Sequence, residues 1–325
     1  MQRVKLGSTG LGVSELCLGT MMFGGSCDEA EAVRIVDQAL ATGVDFIDTA
    51  ASYVKGQTEE ILGRALKTRR QSIFLATKTR LDTGRSITQS LELSLARLQT
   101  DWIDLYIIHW PMVGMNVPAI MAELAGLVKS GKVRHLGCSN YPAWLLAHSN
   151  LIAQQNGWPK LISNQVPYSI IERGIEIEVL PQAMAEDIAV TVYRPLVAGL
   201  LSGKYLPGEV IPAASRVGEK QNLAVWLEKY AKALTYFFEF AAAHRISAVE
   251  LAIAWVRKSP AVTCPVVGIS KLSQLDSLVK AFAFDLTDAE YSELNQVFDT
   301  AVKEEATGEY YKFRRELALV PAKAW

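Results

Sequence analysis

Short apolar runs and longer amphipathic stretches alternate along almost the whole of this chain. The runs are rich in Ile, Val and Leu, as strands covered on both faces are. The stretches between them carry apolar residues at helical spacing. Residues 15–20 form the first core strand, and Asp28 is placed to cap a helix that runs to about Ala41 and ends at Gly43. Strands are then expected at 45–50, 72–79, 102–110, 133–139, 161–168, 189–194 and 262–268. Helices are expected at 57–68, 86–98, 117–130, 142–155, 174–187, within 220–258 and at 272–282. Ahead of all this, Gly7-Ser8-Thr9-Gly10 separates two β-prone pieces, which predicts a small hairpin over residues 3–13.

Eight strand–helix units with no linker between them predict an α/β fold, a (β/α)8 TIM barrel spanning 1–325 as one domain. The N-terminal hairpin and extra loops and helices at the C-terminal end are additions to it. A doubly wound open sheet is disfavoured, because no G-x-G-x-x-G follows the first strand. Gly19-Thr20-Met21-Met22-Phe23-Gly24-Gly25 stands there instead. The stretch 205–218 reads as a loop over the active face. The tail 303–325 is mixed in character, and the pattern assigns it no position.

Composition narrows the function classes. Half of the 325 residues are hydrophobic, enough for a large core. Thirty-three basic and 34 acidic residues leave a formal net charge of −1, spread without long runs, which argues against nucleic acid and anionic membrane as partners. Cys17, Cys27, Cys138 and Cys264 are far apart and form no C-x-x-C, as in reduced intracellular proteins. No apolar run reaches the ~20 residues of a membrane span, and the first residues lack a signal-peptide core. A cytoplasmic enzyme is the expectation, with the oligomeric state open and a monomer compatible.

The candidate chemistry sits at the ends of three consecutive strands. Side chains alternate between faces along a strand. Phe46 and Asp48 therefore share a face, as do Phe74, Ala76 and Lys78, and Ile103, Leu105, Ile107 and His109. In each row the polar residue is last, which in a barrel puts it at the C-terminal mouth. A small-residue turn after Asp48 presents Tyr53. Singly, each residue has an ordinary structural explanation; four titratable types in phase at one end do not. Together they suit proton transfer to a carbonyl under reduction. Tyr53 is the acid, Lys78 lowers its pKa, Asp48 holds Lys78 charged, and His109 orients the carbonyl oxygen. A hydride source has to come from a cofactor. A metal site is disfavoured, since the Lys78 ammonium would compete with a cation.

These residues resemble the catalytic tetrad of the aldo-keto reductase superfamily, and further matching pieces span nearly the whole chain. Gly137-Cys138-Ser139-Asn140 resembles the family's G-x-S-N, and Asn164-Gln165-Val166-Pro167-Tyr168 its N-Q-x-x-Y. The resemblance implies that Ser139, Asn140 and Gln165 hold a nicotinamide carboxamide. Tyr193-Arg194-Pro195-Leu196 with Leu200, Ser202 and Lys204 is similar to the family's pyrophosphate loop, Tyr193 stacking under the nicotinamide ring. Thr20, Met21 and Asp48 complete the cofactor set. Arg216 is implied to meet a 2′-phosphate, and Gly268, Ser270 and Gln274 the adenosine end. NADP is favoured over NAD. The chain departs from the pattern where Ser277-Leu278 replaces the adenine-binding Glu-Asn, and where Arg194 replaces a Ser. The implied substrate is a small carbonyl compound or sugar in a pocket of Met22, Phe23, Tyr53, His109, Trp110, parts of the 205–225 loop and the tail. Two other readings share the barrel. One is a nucleotide-sensing regulatory subunit of the potassium-channel β type, which His109 disfavours. The other is a Schiff-base aldolase using Lys78, which leaves Ser139, Asn140 and Gln165 unexplained.

Overall fold

The computed structural model describes residues 1–208 and 221–302. Arg216, most of the 205–225 loop and the tail 303–325 lie outside the described residues. Two short strands, β1 (Arg3–Lys5) and β2 (Gly12–Ser14), pair antiparallel with Val4 opposite Val13. Eight parallel strands follow and close on themselves: β3 (Cys17–Gly19), β4 (Phe46–Asp48), β5 (Phe74–Thr79), β6 (Ile103–Ile108), β7 (Val133–Ser139), β8 (Leu161–Pro167), β9 (Ala189–Tyr193) and β10 (Cys264–Gly268). β10 pairs with both β9 and β3, which completes the ring.

Alternation along the strands builds two cores. Cys17, Phe46, Ala76, Leu105, Ile107, Ala189 and Cys264 point inward and fill the barrel. Leu18, Ile47, Leu75, Tyr106, Ile108, Leu136 and Val192 point outward against the helices. Both faces are buried, so the strands read as unbroken apolar runs. Each fully buried aliphatic side chain contributes about 1.5–3 kcal/mol. The hairpin plugs the N-terminal end. Its Leu6 and Val13 join the inner core, and Gly7, at φ 51°, lies so close to Asp187 O and Ala189 N that a Cβ would be 2.8 and 2.9 Å away. Among the described residues, the open end is therefore the C-terminal one.

Several helices begin at a side-chain cap. α1 (Glu29–Ala41) starts at Asp28, whose carboxylate accepts from Glu31 N at 2.9 Å. α2 (Gln57–Leu66) follows β4, and α3 (Ile87–Leu98) opens on a capping box between Ser86 and Gln89. α4 (Val117–Lys129) and α5 (Ala143–Gln155) cover the next two crossovers. The element expected at 174–187 is divided into a 3-10 turn, Gly174–Glu176, and α6 (Val179–Glu186). Pro181 explains this: inside a longer helix it would break a backbone bond, whereas in the first turn its missing N–H costs nothing. α7 (Gln221–Lys229), α8 (Ala231–Ala243) and α9 (Ala248–Lys258) lie between β9 and β10, and α10 (Ser273–Lys280) follows β10. A further helix, α11 (Asp288–Val302), was not expected from the pattern. Thr287 and Glu290 cap it, its Phe298 packs edge-on to Phe237 of α8, and its Asn295 accepts from Trp255 Nε1 at 2.9 Å.

Near the plugged end, buried Asp104 accepts from Arg70 Nη2 at 2.7 Å, Arg134 Nη1 at 2.9 Å and Leu75 N at 3.0 Å. Both guanidinium groups also lie over the Trp102 ring. All four cysteines are free and buried. No described helix is long and apolar enough to cross a membrane.

Candidate active site at the barrel mouth

The open end of the barrel holds one buried ammonium with three acceptors. Lys78 sits in β5, two residues beyond Ala76, which pairs with Asp48. From there its Nζ donates to Asp48 Oδ2 at 2.6 Å, Thr49 O at 2.8 Å and Tyr53 OH at 3.2 Å. An ammonium has three protons, and each has an acceptor here. Asp48 is the last residue of β4, and its other oxygen accepts from Gln165 Nε2 at 2.9 Å. Burial opposes the charge on Lys78, but Asp48 and Tyr53 outweigh it and raise the pKa above the ordinary 10.5.

Tyr53 differs from the sequence expectation. Burial raises the pKa of its phenol, and Lys78 lowers it only in part. The ammonium acts on the phenol while shared with Asp48, whose charge opposes it. The phenol is thus a firm proton holder at neutral pH. His109 follows β6 directly. Its backbone N–H donates to Thr79 O at 2.8 Å, and its carbonyl accepts from Asn140 Nδ2 at 3.1 Å. Its ring meets the Tyr53 ring edge-on, with centroids 5.9 Å apart. Burial, then Lys78 and Arg80, pushes the imidazole pKa down to about 3, so the ring is neutral. Its Nδ1 is buried and has no hydrogen-bond partner among the described residues.

A cleft of about 930 Å3 opens over these groups. That is at the upper end of the roughly 300–1,000 Å3 range of small-molecule sites. Thr20, Met21, Met22, Asp48, Tyr53, His109 and Trp110 line one end. Ser139, Asn140 and Gln165 form the floor at the ends of β7 and β8. Ser139 Oγ donates to Gln165 O at 2.8 Å, and Asn140 Nδ2 to Ser139 Oγ at 2.9 Å. Tyr193 OH donates to Asn140 Oδ1 at 2.8 Å. Asn140 holds a φ of 64°, which Asn tolerates better than most residues. Arg194, Pro195, Leu196, Ser202 and Lys204 continue the wall, and Arg194 Nε is 3.6 Å from Glu172 Oε2. The far end is Gly268, Ser270 and Gln274. There Gln274 Oε1 accepts from Ser270 N and Lys271 N, and Glu31 Oε1 from Leu272 N.

Two expected wall residues lie elsewhere. Phe23 is fully buried in the core, because the turn after β3 folds it inward and its carbonyl accepts from the Thr58 hydroxyl at 2.8 Å. Leu200 is also fully buried. The 3-10 turn Val197–Ser202 aims Val197, Leu200 and Leu201 at the core and leaves Ala198, Gly199 and Ser202 at the cleft. Arg216 is outside the described residues.

Sequence reasoning passed over what lies behind Tyr53. Val54, Lys55 and Gly56 all have left-handed backbones, at φ 44°, 57° and 99°. For residues other than glycine this costs on the order of 1–2 kcal/mol each. Beneath this turn, Glu59 of α2 is wholly buried and accepts from the Thr77 hydroxyl at 2.7 Å, with Arg97 of α3 beside it. The available signal was Glu59 itself, an acid spaced with Leu62 and Leu66 on the buried face of its helix.

Residues 15–299 match the Aldo/keto reductase family. The uncharacterized oxidoreductase YrpG of Bacillus subtilis (strain 168) is 35% identical over 321 residues, covering 92% of this chain and 96% of the relative. The aldo-keto reductase YhdN of the same organism is 29% identical over 328 residues, 95% and 97% of the two chains. The aryl-alcohol dehydrogenase GME11368 of Pestalotiopsis microspora is 29% identical over 319 residues, 90% and 80% of the two chains. With a closed eight-stranded barrel and a family match over nearly its full length, the chain belongs to the aldo/keto reductase family and is an oxidoreductase.

Proposed function

We propose that this protein reduces an aldehyde or ketone, with Tyr53 as the proton donor and NADPH as the hydride source. The observation that carries the reading is the Lys78 ammonium held between Asp48 and the Tyr53 hydroxyl. A nicotinamide dinucleotide supplies the hydride when bound. The donor set of the cleft fits it. Asn140 Oδ1 and Gln165 Oε1 each have two lone pairs and can accept from a carboxamide even while engaged within the protein. Tyr193 gives a flat face for the ring. Leu196, Ser202 and Lys204 offer a wall, a hydroxyl and a cation to a pyrophosphate. Ser270 and Gln274 stand at the adenosine end.

The residues divide the work. Neutral His109 donates a hydrogen bond to the carbonyl oxygen and fixes its angle. Tyr53 passes its proton to that oxygen as negative charge builds on it. The ammonium of Lys78 stabilises the phenolate left behind, and Asp48 keeps that ammonium charged. Trp110 gives the substrate a flat apolar wall. That wall, together with a relative named an aryl-alcohol dehydrogenase, makes para-nitrobenzaldehyde the first probe.

Tyr53→Phe should lower turnover of this probe by roughly 10²–10⁴-fold. NADPH should still quench the protein's tryptophan fluorescence as in the parent. Unchanged turnover would remove the mechanism. Tighter quenching by NADH than by NADPH would reverse the cofactor assignment.

A further inference from the structure

Tyr53 reaches the mouth on a backbone that residues other than glycine avoid. Three left-handed residues follow it, one of them the β-branched Val54. Such a stretch persists only where its surroundings fix it. Here the surroundings are centred on one guanidinium. Arg97 Nη1 is 3.4 Å from the carbonyl oxygen of Ala51, two residues before Tyr53, and 3.4 Å from Glu59 Oε2. Three residues after Tyr53, a Cβ on Gly56 would be 2.7 Å from Arg97 Nε. The side chain therefore braces the turn on both sides of the tyrosine. Glu59 in turn is tied by Thr77 to β5, where the next residue is Lys78.

We propose that Arg97 and Glu59 are positioning residues that hold the Tyr53 hydroxyl against the Lys78 ammonium. This rests on the reading of Tyr53 as proton donor. A simple tie between α2 and α3 explains less. Two helices can be joined by an apolar pair, whereas a buried carboxylate is costly and commonly no more stabilising. Burial indeed raises the Glu59 pKa, with Thr77, Ser94 and Arg97 opposing it. The contacts also converge on the two segments that carry the acid and its ammonium.

The test uses the full-length protein with tyrosine labelled at ring carbon Cζ by carbon-13. The Tyr53 resonance is assigned by its loss in Tyr53→Phe. In Arg97→Met and Glu59→Gln it should move at neutral pH, with neither cofactor nor substrate added. Turnover of para-nitrobenzaldehyde should fall by about 10–100-fold in both, with the KM for NADPH within about twofold of the parent. Placed in the Tyr53→Phe background, Arg97→Met should lower turnover no further. An unmoved resonance in both variants overturns the proposal, as does a loss that multiplies with Tyr53→Phe. If Tyr53→Phe alone keeps full turnover, the proton-donor reading fails, while the resonance still decides whether Arg97 and Glu59 place the ring. Should Arg97→Met not fold, Arg97→Lys keeps the charge without the fork and takes its place, with the same outcomes.

Discussion

Replacing Lys78 by Met keeps most of the length of the stem but leaves Asp48 buried, with the Gln165 amide still donating to it. In the parent the two side chains are 0% and 3% exposed, so solvent has no access with which to replace the lost contact. Stranding one charge of a buried pair costs about 3–5 kcal/mol. A chain of this length has an unfolding entropy of about 0.7 kcal/mol/K, so Lys78→Met should melt roughly 4–7 °C below the parent. The Asp48→Leu/Lys78→Met double variant removes both charges. Buried pairs exchanged for apolar residues are often neutral or better, so the double variant should recover most of that loss. Neither variant should turn over para-nitrobenzaldehyde. Calorimetry near pH 7, with turnover measured in parallel, separates stability from chemistry. Equal melting temperatures for the single and double variants would show that the two charges do not depend on each other. The pH dependence has a definite sign. The folded pKa of Lys78 lies above its ordinary 10.5, so its stabilisation is complete below pH 10.5 and is lost as pH rises through the folded value. Both Met variants should lack that alkaline loss.

Other consequences can be checked separately. His109 has a folded pKa of about 3 against an ordinary 6.5, so the unfolded chain takes up its proton first as pH falls. Thermal stability should therefore drop between about pH 6.5 and 3 more steeply in the parent than in His109→Asn; parallel slopes would count against a neutral ring. Gly63→Ala should destabilise by about 1–3 kcal/mol in urea, because its Cβ would run into the backbone carbonyl oxygen of Arg97 and lie 2.9 Å from the carbonyl carbon of Leu98, where α2 meets α3. An unchanged midpoint would mean that the two helices can separate freely. Asp104→Asn should cost about 3–5 kcal/mol by stranding the buried Arg70 guanidinium. Turnover per folded molecule should not change, since Asp104 lies at the plugged end.

The barrel was legible because its strands are buried on both faces and its helices announce their starts. Asp28, Ser86 and Ser247 each precede a helix by one residue and accept from its first turn. Asp48, Lys78 and His109 could be found because alternation puts a polar residue at the end of an inward row. Alternation carries no information where the chain leaves strand geometry. Phe23 and Leu200 lie in turns, where alternation does not apply, and local folding sends both inward. α11 was missed because its buried positions are diluted by acids and amides. Arg97 and Glu59 were missed because their meeting depends on how two helices pack, which local pattern does not encode. Lys78 does lower the Tyr53 pKa, as its position suggested, but burial outweighs it, and sequence names the neighbouring charge and not the depth of burial.

The enclosed thiols have a practical use. Burial drives the pKa of Cys17, Cys138 and Cys264 upward and that of Cys27 to about 11. A buried, protonated thiol is a poor nucleophile. The folded protein should thus be almost silent to maleimides at neutral pH. Met21, 47% exposed on the rim of the cleft, can then be changed to cysteine and carry a fluorophore alone. The barrel would become an optical reporter of whatever enters its mouth.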